Sequence, residues 1–584
     1  MIHLLLLSFA GVFVAASSVA AGMLIYRSAA LHWAVRLVSG AVVYSTLIFL
    51  ALLAGWGTLP VLAGLGVGLM GLASIASAST GRKPTRGRRP PWFFRILFAI
   101  YGLLYAVYVA APEIQPDAVT YHLGLVSEYV RLGAFPDRVG FYEILPQGIE
   151  MLFVPAFALA KHCGAKAVHF VFLSTLIPLV RGLGRELGLT DTQACGAAAF
   201  LFLAPVAGVA GTSAYTDAAL LCCVASALWM LVLWTRVGAT AYLVHAGLAA
   251  GFCYAIKPTL GWGTLLAFAY VAWRGRWKCL VLAGVAVLAV APWVLRATLT
   301  ADNPVAPFFN SVFPNEFFHT ALDGRLASEY SAFRPGFSWW RAPLDYTIFG
   351  GNQGVLGVGF LLLPLGFLAT GKRWLVLLAC LLLLPAILNT GTRFLLPAML
   401  PATLALFAWV PERWVRRVVA VQAVAAFPLL LPYYQKNSDW RLDEPPFAAA
   451  AGIEPERRYL MRHIDNYDAT EMVQAKTLAG TRVFAMAPIQ QAYVDKEVLG
   501  FWYSAQADDL VAGLAKAFAQ GDFQRDATAP LRRAGYRYLL IATDDDPFGT
   551  LGRNMVRYPA EWNLTPVGAT ATETLFYINP LATK

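Results

Sequence analysis

Charge is scarce in this sequence. Asp, Glu, Lys and Arg make up 14% of the 584 residues, against 58% hydrophobic residues. Soluble domains carry about a quarter charged residues, so a soluble globule is excluded and a polytopic membrane protein remains. Cysteine is scarce too, with seven residues and none beyond Cys380, so the segment after it holds no disulfide. No Cys-x-x-Cys pair and no Cys/His spacing of the zinc-binding kind occurs, which excludes a zinc ribbon or a redox motif. In their apolar surroundings the cysteines read as small buried hydrophobes. The segment 433–584 has no glycine-rich phosphate loop at a strand–helix junction. Internal repeats and low-complexity segments are lacking as well. The opening run MIHLLLLSFAGVFVAASSVAAGMLIYR has no basic n-region and is long enough to span, so it is expected to be a first transmembrane helix.

What is present is a succession of apolar runs. Those of spanning length lie near 2–25, 33–56, 58–78, 93–111, 166–183, 192–209, 214–234, 240–256, 258–273, 279–297, 347–369, 374–389, 392–410 and 414–432. They predict an all-α polytopic membrane protein of about 14 helices. The net charge of +11 sits in short loops between these runs, a topology signal and not a nucleic-acid footprint. Placing the cluster Arg82, Lys83, Arg86, Arg88 and Arg89 in the cytoplasm puts Asp117 outside. The short apolar segment 145–160 is expected to be re-entrant or interfacial. Arg181 and Arg185, then Arg236, Arg274, Lys372 and Arg413, all fall inside on that basis.

Three parts are expected. Residues 1–80 form an extra N-terminal transmembrane block. Residues 93–432 form a transmembrane core with outer loops 112–161 and 298–345. Residues 433–584 form an extracytoplasmic α/β domain, with helices near 455–467 and 507–520 and strands in TRVFAM, YRYLLIA and TLFYI.

The candidate site residues gather on the outer side. Asp117, Tyr121, Gly124 and Glu128 fall at i, i+4, i+7 and i+11, on one helix face. Val119, Leu123, Val126 and Val130 repeat that spacing on another face, the pattern of a helix lying on the membrane surface. Asp117 suits a helix cap and a general base alike, since a capping carboxylate stays ionised. Asp217 begins a span, where the macrodipole also favours an acid. Lys257 reads either as a snorkelling lysine or as a site cation, and Arg393 either as a helix-end anchor or as a phosphate-binding fork. His122 follows Tyr121, whereas His162, His169 and His245 are isolated.

Four patches in this order resemble the GT-C-fold glycosyltransferases that use polyprenyl-phosphate sugars, in the branch of mannosyltransferase-like and aminoarabinose-transferase-like bacterial proteins. They are QPDAVTYH around Asp117, YTDAALL around Asp217, PWVLRATLTADNPVAPFFN with Asn303, and TRFLLPAMLP around Arg393. The resemblance covers about 93–432. It implies an inverting glycosyltransferase of hexosyl or pentosyl type in a bacterial inner membrane, working on the periplasmic side. Asp117 is then the base and Asp217 its catalytic companion. Tyr121, His122, Lys257, Arg393 and Asn303 bind substrate. The partners are a polyprenyl-phosphate-linked sugar and a glycan, lipid or protein acceptor, with no nucleic acid. No cofactor is implied. The first motif holds a single acid, Asp117 followed by Ala118, so a divalent metal is not indicated. Two alternatives stay open: a lipid or glycan transporter, which predicts charges in mid-span and related halves, and a non-catalytic envelope-assembly subunit with the same fold.

Overall fold

A computed structural model describes residues 2–25, 31–78, 89–332, 338–387, 389–435, 442, 444–500, 504–520, 527–544 and 548–580. The basic cluster Arg82, Lys83, Arg86 and Arg88 lies outside the described residues. The chain divides into two compact units. The first comprises Met1–Glu113, Pro146–Trp293 and Ala327–Ile453, and the second Ile114–Leu145, Val294–Leu326 and Glu454–Lys584.

The first unit is helical. Among the described residues, eight helical segments of the chain are long and apolar enough to cross a membrane. A ninth arises if Asp191–Leu203 and Pro205–Thr212, bent by 65° at their junction, form one broken span. Pro205 explains that bend, because it cannot donate to the preceding turn. Of the other expected spans, 240–256, 347–369 and 374–389 become the shorter apolar helices Thr240–Ile256, Val358–Leu368 and Arg373–Leu382. The run 414–432 becomes the helix Glu412–Ala425, which buries Val415, Val419, Gln422 and Ala423 on one face. Its 14 residues are too few to span. The chain is an integral, mostly helical membrane protein with a small C-terminal sheet domain.

The first two helices, Ile2–Ile25 and Trp33–Leu53, meet backbone to backbone. A Cβ on Gly40 would lie 1.7 Å from the Ser18 carbonyl oxygen, and one on Gly22 would lie 2.0 Å from that of Arg36. In lipid, where apolar transfer does not drive helices together, such small-residue contact supplies the association. Gly40→Leu is therefore expected to destabilise the protein by about 3 kcal/mol, seen as a lowered melting temperature in detergent, while Gly64→Leu, whose site is open, leaves it unchanged.

The helix Gly148–Glu186 is two helices joined at a kink where Ala160 and Lys161 leave helical geometry. Eight residues along a straight helix rise about 12 Å. Here a Cβ on Gly164 would lie 2.2 Å from the Ala156 carbonyl oxygen, so the chain turns sharply. The kink separates the short apolar stretch 145–160 from the spanning run after it.

In the second unit, strands β1 (Arg482–Met486), β2 (Glu497–Gly500), β3 (Tyr536–Ala542), β4 (Leu564–Ala569) and β5 (Glu573–Ile578) form a mixed sheet ordered β2-β1-β3-β5-β4. β1 runs parallel to β2 and β3, and β5 is antiparallel to β3 and β4. Phe484 and Met486 face one core with Leu510, Leu551 and Trp562. Val483 and Ala485 face a second core with Val473. Both faces of the central strands are covered, which is why they appear in the sequence as unbroken apolar runs. A further core joins Phe141 and Ile144 to Ala297, Ala301, Phe318 and Leu322, so the two expected outer loops meet within this unit.

Candidate active site

Three of the candidate residues converge in the first unit. Pro258 ends the helix Thr240–Ile256 and holds Lys257 extended, at φ −151° and ψ 104°. From there Lys257 Nζ donates a 2.7 Å hydrogen bond to Asp217 Oδ1 and lies 4.2 Å from the centre of the Phe394 ring. Arg393 sits on the short turn Thr392–Leu395 that leads into the helix Leu396–Trp409. Its guanidinium lies 5.0 Å from the Phe394 ring and 5.4 Å from that of Tyr215. Two cations thus share one aromatic ring, against one carboxylate.

The turn carrying Arg393 is pinned. Thr392 Oγ1 donates to the carbonyls of Asn352 (2.8 Å) and Gly354 (2.9 Å), and Tyr346 Oη donates to that of Thr390 (2.9 Å). A side chain on a turn held this way meets an anion at little ordering cost.

Asp217 opens the helix Asp217–Val237 and is 2% exposed. No side chain of its own segment caps that helix. Asp217 Oδ2 is buried and has no hydrogen-bond partner among the described residues. Such an atom costs stability unless a donor reaches it.

Two neighbours were not among the expected site residues: Glu113 carried no motif, and His169 stood isolated in the sequence. Glu113, 1% exposed, accepts a 2.8 Å hydrogen bond from the Ala214 amide. His169, wholly buried, places Nδ1 2.8 Å from the Ser213 carbonyl and accepts from the Ala218 amide at Nε2, 3.1 Å away. Lys166, three residues before His169, donates to the Ala111 carbonyl at 2.9 Å.

The remaining candidates belong to the second unit. Pro116 and Asp117 start a helix that passes through a π turn, Ala118–His122, before continuing as Leu123–Leu132. Pro116 occupies the first helical position, where a missing N–H costs nothing. Asp117 is half-buried and makes no side-chain capping bond to that turn. π turns of this kind recur at functional sites. The Tyr121 ring stacks on Tyr142, with centres 3.8 Å apart and planes 7° apart, and lies 4.3 Å from His122.

The apolar face that the periodicity assigned to a membrane surface is covered by protein. Val119, Leu123 and Val126 are buried in protein, and a Cβ on Gly124 would come within 2.9 Å of the Gln491 side chain of the C-terminal domain. Glu128, on the face shared with Asp117, is held by Arg138 through two bonds of 2.7 and 2.6 Å. Arg138 also donates to Glu143 at 2.9 Å. Burial opposes the Arg138 charge, but the Glu143 and Glu128 carboxylates outweigh it and hold the guanidinium above the usual arginine range.

Asn303 is buried and folds its own loop. Its amide donates to the Phe308 carbonyl at 2.9 Å, and its oxygen accepts from the Val305 amide at 3.0 Å. Among the described residues no three His, Cys, Asp or Glu side chains converge as metal ligands.

The Lys257–Asp217 pair yields a stability prediction. Lys257→Met leaves a buried carboxylate without its nearest cation and is expected to cost about 3 kcal/mol. Adding Asp217→Leu restores most of that loss. Thermal unfolding in detergent checks both.

Known structures place this architecture. The crystal structure of ArnT from Cupriavidus metallidurans bound to undecaprenyl phosphate matches with a TM-score of 0.52 and 15% identity, over 82% of this chain and 97% of that one. ArnT from the same organism in the apo state matches with a TM-score of 0.50 and 14% identity, over the same shares. No family model and no curated protein matches the sequence. At that identity the likeness defines the fold: this is a membrane protein of the GT-C fold.

Proposed function

We propose that the protein is a membrane glycosyltransferase that moves a sugar from a polyprenyl-phosphate donor to an extracytoplasmic acceptor. The observation that carries the reading is the Lys257–Arg393 pair around Phe394, with the buried Asp217 beside it. A lipid phosphate needs cations at the membrane boundary, and an arginine fork plus a lysine matches its oxygens. The solved ArnT complex holds undecaprenyl phosphate, a ligand of this chemistry.

In the mechanism, the acceptor O–H or N–H loses its proton to Asp117 as the heteroatom attacks the anomeric carbon. The bond from that carbon to the phosphate oxygen breaks, and polyprenyl phosphate leaves with the electron pair. Arg393 and Lys257 stabilise the charge gathering on that oxygen. Attack opposite the leaving group inverts the anomeric configuration. Asp217 Oδ2 accepts a hydrogen bond from substrate, and Tyr121 with His122 shapes the sugar pocket. Hexosyl and pentosyl donors both suit this scheme. The active side faces the periplasm of a bacterial inner membrane in this reading, and the acceptor is a glycan, lipid or protein.

The test is release of polyprenyl phosphate by purified, lipid-reconstituted protein from a panel of polyprenyl-phosphate sugars, with membrane extract supplying acceptor. Acceptor-dependent release and a product of inverted anomeric configuration are expected. Movement of the intact lipid-sugar across the bilayer without release supports a transporter instead.

A further inference from the structure

The start of the Asp217–Val237 helix presents an unusual division of labour. The first amides of a helix need acceptors, and a serine, threonine, aspartate or asparagine at its start normally supplies one. Thr216 stands at the capping position and Asp217 follows, yet neither makes that bond from its side chain. The acceptor comes from another helix. His169 Nε2 accepts from the amides of Ala218 (3.1 Å) and Ala219 (3.4 Å). The other ring nitrogen, Nδ1, lies 2.8 Å from the Ser213 carbonyl. A carbonyl only accepts, so Nδ1 carries the proton and Nε2 presents its lone pair: the imidazole is neutral and in one tautomer. Glu113 accepts from the Ala214 amide, next to Ser213.

We infer that His169 is a positioning residue for Asp217. By capping the helix from outside, it removes the bond that would turn the carboxylate back onto its own backbone. Asp217 Oδ1 is thereby left for Lys257, and Oδ2 has no protein partner among the described residues. In the proposed transferase, on which this role in turnover rests, the carboxylate then meets substrate in a fixed orientation. Glu113 supports the arrangement by fixing the turn at Ala214.

The first experiment needs no turnover. In a density map of His169→Ala, the Asp217 carboxylate is expected to have rotated onto the Ala218 and Ala219 amides and left Lys257. His169→Gln, whose amide offers a donor and an acceptor, is expected to keep Asp217 on Lys257. A carboxylate that stays on Lys257 in His169→Ala overturns the inference. The second experiment is a double-mutant cycle on polyprenyl phosphate release. His169→Ala is expected to lower kcat about tenfold or more, with donor KM within about threefold and Gln recovering most of the loss. In an Asp217→Asn background the same change is expected to have little further effect, because the histidine acts through that carboxylate. A merely structural role predicts equal, additive losses in both backgrounds, and that result also overturns the inference. If the carboxylate rotates but wild type releases no polyprenyl phosphate, the transferase reading fails and the positioning of Asp217 stands.

Discussion

Asp117→Asn is expected to lower turnover by about 10²- to 10⁴-fold, the share of the barrier that a positioned general base supplies. The amide keeps the size and the hydrogen-bonding reach of the carboxylate but cannot take the proton from the acceptor. Donor binding is expected to remain, because the cations assigned to the phosphate lie elsewhere in the sequence, at Lys257 and Arg393. The fold is expected to remain as well, since asparagine matches aspartate in size and shape. Kinetics on reconstituted protein, with donor binding measured in parallel, separates the outcomes. Unchanged turnover in Asp117→Asn removes Asp117 from the chemistry.

Arg393→Met is expected to lower kcat/KM by about 10²- to 10³-fold, the loss typical of deleting one preorganised electrostatic donor. Methionine keeps much of the apolar stem and removes the charge and the fork, which lies near Tyr215 and Phe394. Arg393→Lys is expected to recover a small part, since an ammonium lacks the planar pair of donors that matches two phosphate oxygens. Equal recovery by lysine indicates that charge alone is used. Full activity in Arg393→Met returns this residue to the role of a helix-end anchor.

The parts of the fold legible in the sequence are those written as uninterrupted apolar runs. β1, β3 and β5 were visible because their neighbours cover them on both sides. β2 and β4 were not: each is an edge strand, four residues long in one case and irregular between Pro566 and Gly568 in the other. The run 414–432 does not form one helix of spanning length: the helix ends at Ala425, ahead of Pro428, which cannot continue it. In 117–130 periodicity shows which residues share a face but not what covers it, and Val119, Leu123 and Val126 are covered by protein.

The candidate site was legible residue by residue and not as a constellation. Asp217, Lys257 and Arg393 each stood at the end of an apolar run. The 2.7 Å bond between Lys257 and Asp217 joins residues 40 apart, and no local pattern encodes it. His169 left no mark, because one histidine in an apolar helix has no spacing signature. A polar residue that repeats neither a membrane-face nor a cap pattern was the available signal, and Lys166 three residues before it strengthened that signal.

The assignment of Lys257 and Arg393 to a lipid phosphate is open to a direct test. The measurement is equilibrium binding of undecaprenyl phosphate to the reconstituted protein, with undecaprenol as competitor, for wild type, Lys257→Met and Arg393→Met. Wild type is expected to bind the phosphate, the alcohol to fail as a competitor, and each substitution to weaken binding about tenfold or more. Equal binding of phosphate and alcohol, or affinity unchanged in both variants, contradicts it.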